Sequence, residues 1–198
     1  MANKIDELVI KLANTKTEET LFNPYNQVCK DYDINTAPGV RQGNLRMYLE
    51  SYAEGSVEEL WVTSSADFHT TKLTGVPLLD PVNFAFVEGI LGAPIKFEIA
   101  TKNRTIFETN KLFGNVWDLA AKQKKRPLIW AVLPFYPHDT AGITTKRVPE
   151  VEEYRKYKEF LMMVIGIYKP KNIVTIGPDA KKAVSSLKLK SKAHKSLN

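Results

Sequence analysis

The sequence predicts an α/β fold of three layers, in which a mostly parallel central sheet is flanked by helices. Short apolar runs alternate along the chain with longer segments whose apolar residues recur at helical spacing. Such alternation is typical of a parallel sheet that is covered on both faces. The length of 198 residues, with 43% hydrophobic and 25% charged residues, suits one ordinary globular domain. We therefore expect residues 1–198 to form a single domain.

Helices are predicted wherever the apolar period is close to that of an α-helix. The opening helix is indicated by four apolar residues at this spacing: Ile5, Leu8, Val9 and Leu12. Asn44 is expected to cap the second helix, and Pro81 and Pro149 suit the first turns of two later ones. The helices predicted after the first cover residues 45–52, 81–92, 108–125, 149–168 and 178–187.

Strands are predicted from the short apolar runs that separate these helices. The runs cover residues 59–64, 95–100, 127–135 and 171–177. Ligands of such sheets bind beyond the carboxyl ends of the strands. The segments expected there are residues 63–80, 134–148, 177–179 and, after the last helix, 190–198. All three histidines lie in these segments: His69, His138 and His194.

Charge and cysteine content narrow the class of protein. A net charge of +6 favours an anionic partner, and the segment from residue 180 to 198 alone carries six lysines. Cys29 is the only cysteine, which excludes a disulfide framework and a Cys-x-x-Cys metal site. We expect no metal, no cofactor and no membrane partner. Neither a span-length apolar run nor a signal-type core is present, so we expect a monomeric cytoplasmic or nucleoid-associated protein.

The loops at the strand ends carry motifs that resemble those of the uracil-DNA glycosylase superfamily. The first is "VTSSADFHTTKLTGVPLL", the second "WAVLPFYPHDTAGITTKRVP" and the third "IVTIGPDAKKAVSSLKLKSKAHKS". The resemblance implies a four-stranded parallel sheet, DNA as partner and extrusion of a nucleotide into a pocket between the loops. It also implies DNA repair by base excision: an activated water hydrolyses the N-glycosidic bond while the departing base anion is stabilised. Relatives usually continue into a final helix, which we expect to be lacking after Asn198.

The sequence departs from the family pattern at the positions expected to perform the chemistry. Ser64 or Ser65 stands where relatives carry an early acid, and Leu78 stands where they carry a base-stacking phenylalanine. Ala131 replaces the asparagine that reads uracil in the family. These replacements predict a reshaped pocket whose target base is not plain uracil.

Candidate catalytic residues follow from the need for a water-activating base and a donor to the leaving group. Asp67, His69 and Asp80 are the ionisable groups of the first loop that could activate water. Structural alternatives are loop hydrogen bonding for Asp67 and helix capping for Asp80. His194 retains the family position of the donor, although a solvated histidine in a lysine-rich tail is the alternative.

Candidate binding residues surround these positions in the sequence. The expected substrate-binding set, chosen for aromatic faces or for the family positions, is Ser64, Ser65, Phe68, Leu78, Ala131, Phe135 and Tyr136. Core packing is the alternative for Phe135. The expected DNA-phosphate contacts are Thr70, Thr71, Lys72, Thr74, Gly75, Lys195 and Ser196.

Two functions are therefore carried forward. The first is a DNA glycosylase, a hydrolase that flips a base into a pocket and cuts its N-glycosidic bond. The alternative is a catalytically inactive DNA- or nucleotide-binding member of the superfamily, which the loss of the early acid supports.

Overall fold

A parallel sheet runs through the centre of the protein, for which a computed structural model describes residues 3–92, 94–102 and 111–193. Its strands are β2 (Glu59–Ser65), β3 (Leu128–Leu133), β6 (Asn172–Thr175) and β7 (Lys192–Ala193). They lie in the order β3-β2-β6-β7, and every neighbouring pair is parallel. The α/β class and the small parallel sheet match the prediction. Three strands have four or more residues, whereas the fourth, β7, is reduced to two residues at the sheet edge.

Two layers of helices cover this sheet. The connection from β2 to β3 contains α4 (Phe84–Leu91) and α5 (Lys111–Ala121). The connections from β3 through β6 to β7 contain α6 (Val151–Lys156), α7 (Lys158–Tyr168) and α8 (Pro178–Ser186). The first connection runs along the sheet in the opposite direction to the other two, so right-handed crossovers place the two helix groups on opposite faces.

The N-terminal helices pack beside these layers. In α1 (Lys4–Asn14) the four predicted apolar residues are buried, and the Asn3 side chain caps the helix by accepting from Ile5 N. Helix α2 (Ala37–Glu50) begins seven residues before Asn44, which therefore lies inside the helix and does not cap it. The Tyr48 hydroxyl of α2 donates to Ile129 O at 2.9 Å, which ties this helix to β3.

A second, antiparallel sheet was not predicted. It contains β1 (Leu21–Phe22), β4 (Tyr136–Asp139) and β5 (Gly142–Lys146) in the order β1-β4-β5. The segment 134–148, expected to be a loop, is thus largely a hairpin whose strands are β4 and β5. Because this hairpin follows β3 directly, it extends from the carboxyl end of the parallel sheet.

The strand predicted at residues 95–100 does not form. Two of its backbone N–H groups are paired with side chains instead of a neighbouring strand: Phe97 N donates to Glu88 Oε1 at 2.8 Å, and Glu98 N donates to Asn44 Oδ1 at 2.9 Å. The Asn44 amide in turn donates to Glu98 O at 2.9 Å. The alternation of apolar residues in this segment still has a structural consequence, because it buries the Phe97 side chain in the core.

The longest predicted helix, residues 149–168, is divided into α6 and α7 by a break at Tyr157. Glu150 and Glu153 form a capping box that starts α6. A short helix α3 (Thr71–Thr74) and a 3₁₀ turn (Pro81–Asn83) complete the first loop. None of the helices in the described parts of the chain is long and apolar enough to cross a membrane.

Candidate functional site

The candidate site lies where the strand order of the parallel sheet reverses direction. Strands β2 and β6 are neighbours, yet the chain leaves β2 towards β3 on one side and leaves β6 towards β7 on the other. In open α/β sheets this switch point opens a crevice beyond the carboxyl ends of the two strands. A cavity of about 310 Å³ occupies the crevice, which is within the size range of small-molecule sites.

The cavity is lined by polar and by apolar side chains. The polar side chains come from β2 and its loop, from the end of β5 and from the start of α8: Thr63, Ser64, Ser65, Asp67, Lys146 and Asp179. The apolar side chains come from the first loop, α5 and the turn before α8: Leu78, Phe113, Val116, Ile176 and Pro178. Segments separated by more than a hundred residues in the chain therefore share one small cavity.

Asp67 is held in place by two interactions. Its Oδ1 accepts from His69 N at 3.0 Å, and its Oδ2 lies 3.2 Å from Lys146 Nζ. The first contact is a local turn of the loop, and the second joins the loop to the β4–β5 hairpin. The Asp67 side chain is 23% exposed, so its carboxylate is fixed but still accessible from the cavity. Such a group can accept a proton from a bound water.

The serine pair at the end of β2 supplies two hydroxyls. Ser65 is buried, and its Oγ has no hydrogen-bond partner among the described residues. Ser64 interacts with the hydroxyl of Tyr154, a buried residue of α6. Burial and, second, the charge of Asp179 raise the pKa of Tyr154 to about 12. Tyr154 is therefore a neutral hydroxyl at physiological pH.

Two backbone features shape the cavity wall. Leu78 has φ 55°, in the left-handed region that non-glycine residues rarely adopt. Its carbonyl accepts from Trp117 Nε1 at 2.9 Å, which holds the first loop against α5. Gly177 has φ 82° and precedes α8, whose first turn receives no side-chain cap at that position. Strain of this kind is often found at binding sites.

Two of the predicted catalytic residues do not line the cavity. Asp80 is 1% exposed, and its carboxylate caps the 3₁₀ turn by accepting from the backbone and side chain of Asn83 at 2.9 Å. The capping alternative is thus the one that the structure supports. His69 lies two residues after Asp67 in the chain. The Asp67 carboxylate accepts from the backbone N–H of His69 and makes no hydrogen bond with the His69 ring. Its Nδ1 is buried with no partner in the described part of the chain.

Most of the predicted aromatic binding residues are in the core. Phe135 is fully buried and packs edge-on against Tyr157 and Phe160. Phe68 and Tyr136 are buried together in a smaller cluster, with ring centroids 5.8 Å apart. Ala131 is 1% exposed in the middle of β3. Of the seven expected substrate-binding residues, the cavity is lined by Ser64, Ser65 and Leu78.

The predicted phosphate contacts of the first loop are also buried. This holds for Thr70, Thr71, Lys72 and Thr74. The Lys72 side chain is 0% exposed and pairs with Asp33, so its ammonium does not reach a DNA backbone in this structure. Gly75 faces α2: a Cβ there would lie 2.3 Å from Arg41 O. The expected donor His194 and the expected phosphate contacts Lys195 and Ser196 lie outside the described residues.

Eight of the twelve residues that line the cavity were not singled out from the sequence as binding groups, among them Phe113, Val116, Lys146 and Asp179. Phe113 and Val116 lie on the buried face of α5, where the sequence pattern indicates only core packing. The contact of Lys146 with Asp67 connects the β4–β5 hairpin to the first loop. Asp179 follows Gly177 at a strand end, a position that by itself indicates a ligand site. In the described ranges, no group of three or more potential metal ligands is present.

Comparison with known proteins supports the fold. The structure matches the crystal structure of wild-type SMUG2 from Pedobacter heparinus with a TM-score of 0.63 and 11% sequence identity. The match covers 98% of this chain and 86% of the other. No protein-family model and no curated protein matches the sequence. At this identity the likeness is one of fold, so this chain shares the α/β architecture of SMUG2.

Proposed function

We propose that this protein is a DNA glycosylase that takes an extruded nucleobase into the switch-point cavity and hydrolyses its N-glycosidic bond. The observation that carries the proposal is the fixed carboxylate of Asp67 at the cavity wall. The fold of a SMUG2, a member of the uracil-DNA glycosylase superfamily, supports the same reaction class. The motif resemblance of the loops supports it independently, because it depends on sequence and not on overall shape.

In this proposal Asp67 acts as the general base. Water bound beside its carboxylate gives up a proton as the oxygen attacks C1′ of the extruded nucleotide. Lys146 and the His69 N–H position the carboxylate, since each of them binds one of its two oxygens. Remaining lone pairs on these oxygens are available to the water. The apolar wall formed by Leu78, Phe113 and Val116 gives the base a surface to pack against.

The proposed target is a base other than plain uracil. The position at which relatives read uracil is occupied by Ala131, whose short side chain is buried within β3 and offers no hydrogen bond. The position of the family's stacking phenylalanine is occupied by Leu78, which lines the cavity but has no aromatic face. The basic net charge of +6 suits DNA as the partner that delivers the base.

A base-release assay tests the proposal. Duplexes that each carry one altered base are incubated with the protein, and free base is measured by chromatography. We expect release from at least one duplex, and Asp67→Asn should slow it by about a hundredfold or more because the amide cannot accept the proton. The affinity for DNA should change little, since Asp67 is not proposed to bind phosphate.

Glu54→Gln is the matched control. It removes one negative charge from an exposed residue before the amino end of β2, opposite to the cavity, where Glu54 pairs with Lys4. Its rate of release should equal that of the wild type. Equal rates for Asp67→Asn and the wild type would remove Asp67 from the mechanism.

The second candidate function is a non-catalytic DNA-binding protein. It is favoured by the serines at positions 64 and 65, where relatives carry an acid, and by the burial of Asp80. In that case no duplex releases a base, while binding to DNA persists. The affinity should then fall with salt, by a slope of about 0.9 in log K against log[salt] for each phosphate contacted.

A further inference from the structure

The cavity carries negative charge although the protein as a whole is basic. Its lining includes two carboxylates, Asp67 and Asp179, and one ammonium, Lys146. One net negative charge therefore lines a small, half-enclosed space in a chain of net charge +6. Asp179 is 50% exposed and lies 3.8 Å from the mostly exposed Lys182, so this outer pair is weakly held.

The charges of Asp67 and Asp179 affect the pKa values of two tyrosines near the cavity. Burial and, second, the charge of Asp67 raise the pKa of Tyr136 above its ordinary value. The charge of Asp179 acts on Tyr154 in the same direction, after burial. A negative potential disfavours an anion in the cavity and favours a cation, because opposite charges attract more strongly where water is partly excluded.

The buried hydroxyl of Ser65 points independently to a ligand. Ser65 is 4% exposed, lines the cavity, and its Oγ has no hydrogen-bond partner among the described residues. A buried polar group without a partner is costly, so such groups normally have one when the protein performs its function. A hydroxyl can donate or accept, and a purine edge offers both kinds of partner.

We propose that the cavity selects an N-alkylated purine, a base that carries a positive charge while it is attached to DNA. This inference rests on the function proposed above and specifies its substrate class. Asp179 and Asp67 supply the charge complementarity, and the carboxylate oxygens accept hydrogen bonds from the amino group of the base. Leu78, Phe113 and Val116 contact its planar ring.

The chemistry of such a substrate removes the need to stabilise a departing base anion. For a purine methylated at N7, the water oxygen bonds to C1′ while the bond between C1′ and N9 breaks. The electron pair of that bond moves to N9 and cancels the positive charge of the ring, and Asp67 accepts the proton from water. The departing base is neutral, so the reaction does not require a group that stabilises a departing anion.

A matched set of duplexes tests this selectivity. The same sequence carries 7-methylguanine, guanine, hypoxanthine or uracil at one position, and the single-turnover rate of base release is measured for each. After the spontaneous loss of 7-methylguanine is subtracted, we expect its release to be at least about tenfold faster than that of any neutral base. Asp179→Asn should reduce this ratio severalfold, whereas Glu54→Gln should leave it unchanged, because Glu54 lies at the opposite end of β2.

The outcomes separate this inference from the proposed function. Release of a neutral base at a rate equal to or above that of 7-methylguanine overturns the selectivity and leaves the glycosylase proposal intact. If no duplex releases a base, the glycosylase proposal fails. The selectivity of the cavity is then tested by measuring the affinity of the protein for DNA. A duplex with 2′-fluoro-7-methylguanine, which resists hydrolysis, should then bind more tightly than its guanine counterpart. Equal affinity for the two duplexes overturns the inference.

Discussion

Gly75 illustrates at the scale of one residue how a loop motif can serve packing. The sequence predicted that Gly75, in "KLTGVP", contacts a DNA phosphate, because a glycine lets the backbone approach a ligand closely. In the structure Gly75 has φ 82° and ends α3, and the backbone it approaches is that of Arg41 in α2. The Tyr25 hydroxyl also donates to Gly75 O at 2.9 Å. The motif therefore fixes the position of the first loop, from which Ser65 and Asp67 reach the cavity.

Substitution of Gly75 should be strongly destabilising. In Gly75→Ala the new Cβ would lie 2.3 Å from Arg41 O, and the left-handed φ adds strain. We expect the free energy of unfolding to fall by about 2–4 kcal/mol in urea titrations. Gly43→Ala is the control, because Gly43 lies inside α2 with nothing within 4 Å of a new Cβ. It should raise stability by up to about 1 kcal/mol, and equal effects at the two positions would contradict the argument.

The sequence predicted those site residues whose position depends on one strand end. Ser64, Ser65 and Asp67 follow directly from the end of β2, and they line the cavity as expected for such a loop. Asp80 and Lys72 could not be placed in this way. Whether their side chains face solvent or the interior depends on contacts with Asn83 and Asp33, and the latter is 39 residues away in the chain.

At the scale of elements, the predicted helices formed more reliably than the predicted strands. A helix pairs its own backbone, whereas a strand needs a neighbour that a single segment does not reveal. Residues 95–100 have the apolar period of a strand. The backbone N–H groups of Phe97 and Glu98, however, donate to the side chains of Glu88 and Asn44 and not to a neighbouring strand. The β4–β5 hairpin was missed for the opposite reason: its strands are short and polar, with no apolar run to mark them.

A buried cluster of charges joins three elements beneath the first loop. Asp33, from the loop before α2, lies 2.5 Å from Arg41 in α2 and 3.4 Å from Lys72 in α3, and all three side chains are 0% exposed. The Lys72 ammonium lies 4.9–5.4 Å from the ring centroids of Phe22, Tyr32 and Phe68. Burial lowers the pKa of Lys72, while the charge of Asp33 opposes this effect. The single carboxylate is thus the counter-charge that both buried cations share.

The two members of this cluster should tolerate substitution very differently. Asp33→Asn leaves Arg41 and Lys72 without a counter-charge, and we expect a loss of about 3–5 kcal/mol in unfolding free energy. Lys72→Met leaves Asp33 paired with Arg41 and places a flexible apolar chain among the three rings, so the change should be about 1 kcal/mol or less. The double variant should be more stable than Asp33→Asn alone. Similar losses for both single variants, measured by urea unfolding, would show that the charges are not coupled.

At the scale of the whole molecule, the alternation of strands and helices predicted the edge of the sheet at which the candidate cavity lies. The switch point follows from the direction of successive crossovers, which the order β3-β2-β6-β7 fixes. The chemical character of the cavity was not predictable in the same way. Its negative charge arises because Asp67 and Asp179, from separate strand ends, lie opposite a single lysine of the hairpin.

Buried tyrosines also connect the layers of the molecule. The hydroxyls of Tyr48, Tyr52 and Tyr168 donate to Ile129 O, Pro127 O and Leu49 O at 2.7–2.9 Å. The bonds of Tyr48 and Tyr168 join α2 to β3 and to α7, and the bond of Tyr52 joins the turn after α2 to the segment before β3. Burial is the main cause that raises the pKa of all three phenols above the ordinary value of 10.0. Each phenol therefore keeps its proton in the folded state at pH values where the unfolded chain has lost it.

Alkaline pH should consequently destabilise the protein steeply. A raised folded pKa gives a contribution to stability that is complete below the unfolded pKa near 10 and is lost as the pH rises above it. These three tyrosines alone contribute a slope of about −4 kcal/mol per pH unit in unfolding free energy, and the raised pKa values of Tyr136 and Tyr154 act in the same direction. The contribution of Lys72 to this slope has the opposite sign, because the pKa of Lys72 in the folded state is lowered from 10.5. Above pH 10.5 Lys72 contributes no further slope.

Urea titrations from about pH 9 to about pH 11 should show this decline in unfolding free energy. Tyr168→Phe removes one ionisable phenol, so it should reduce the slope by about 1.4 kcal/mol per pH unit. An unchanged slope would exclude Tyr168 as a source of the alkaline instability.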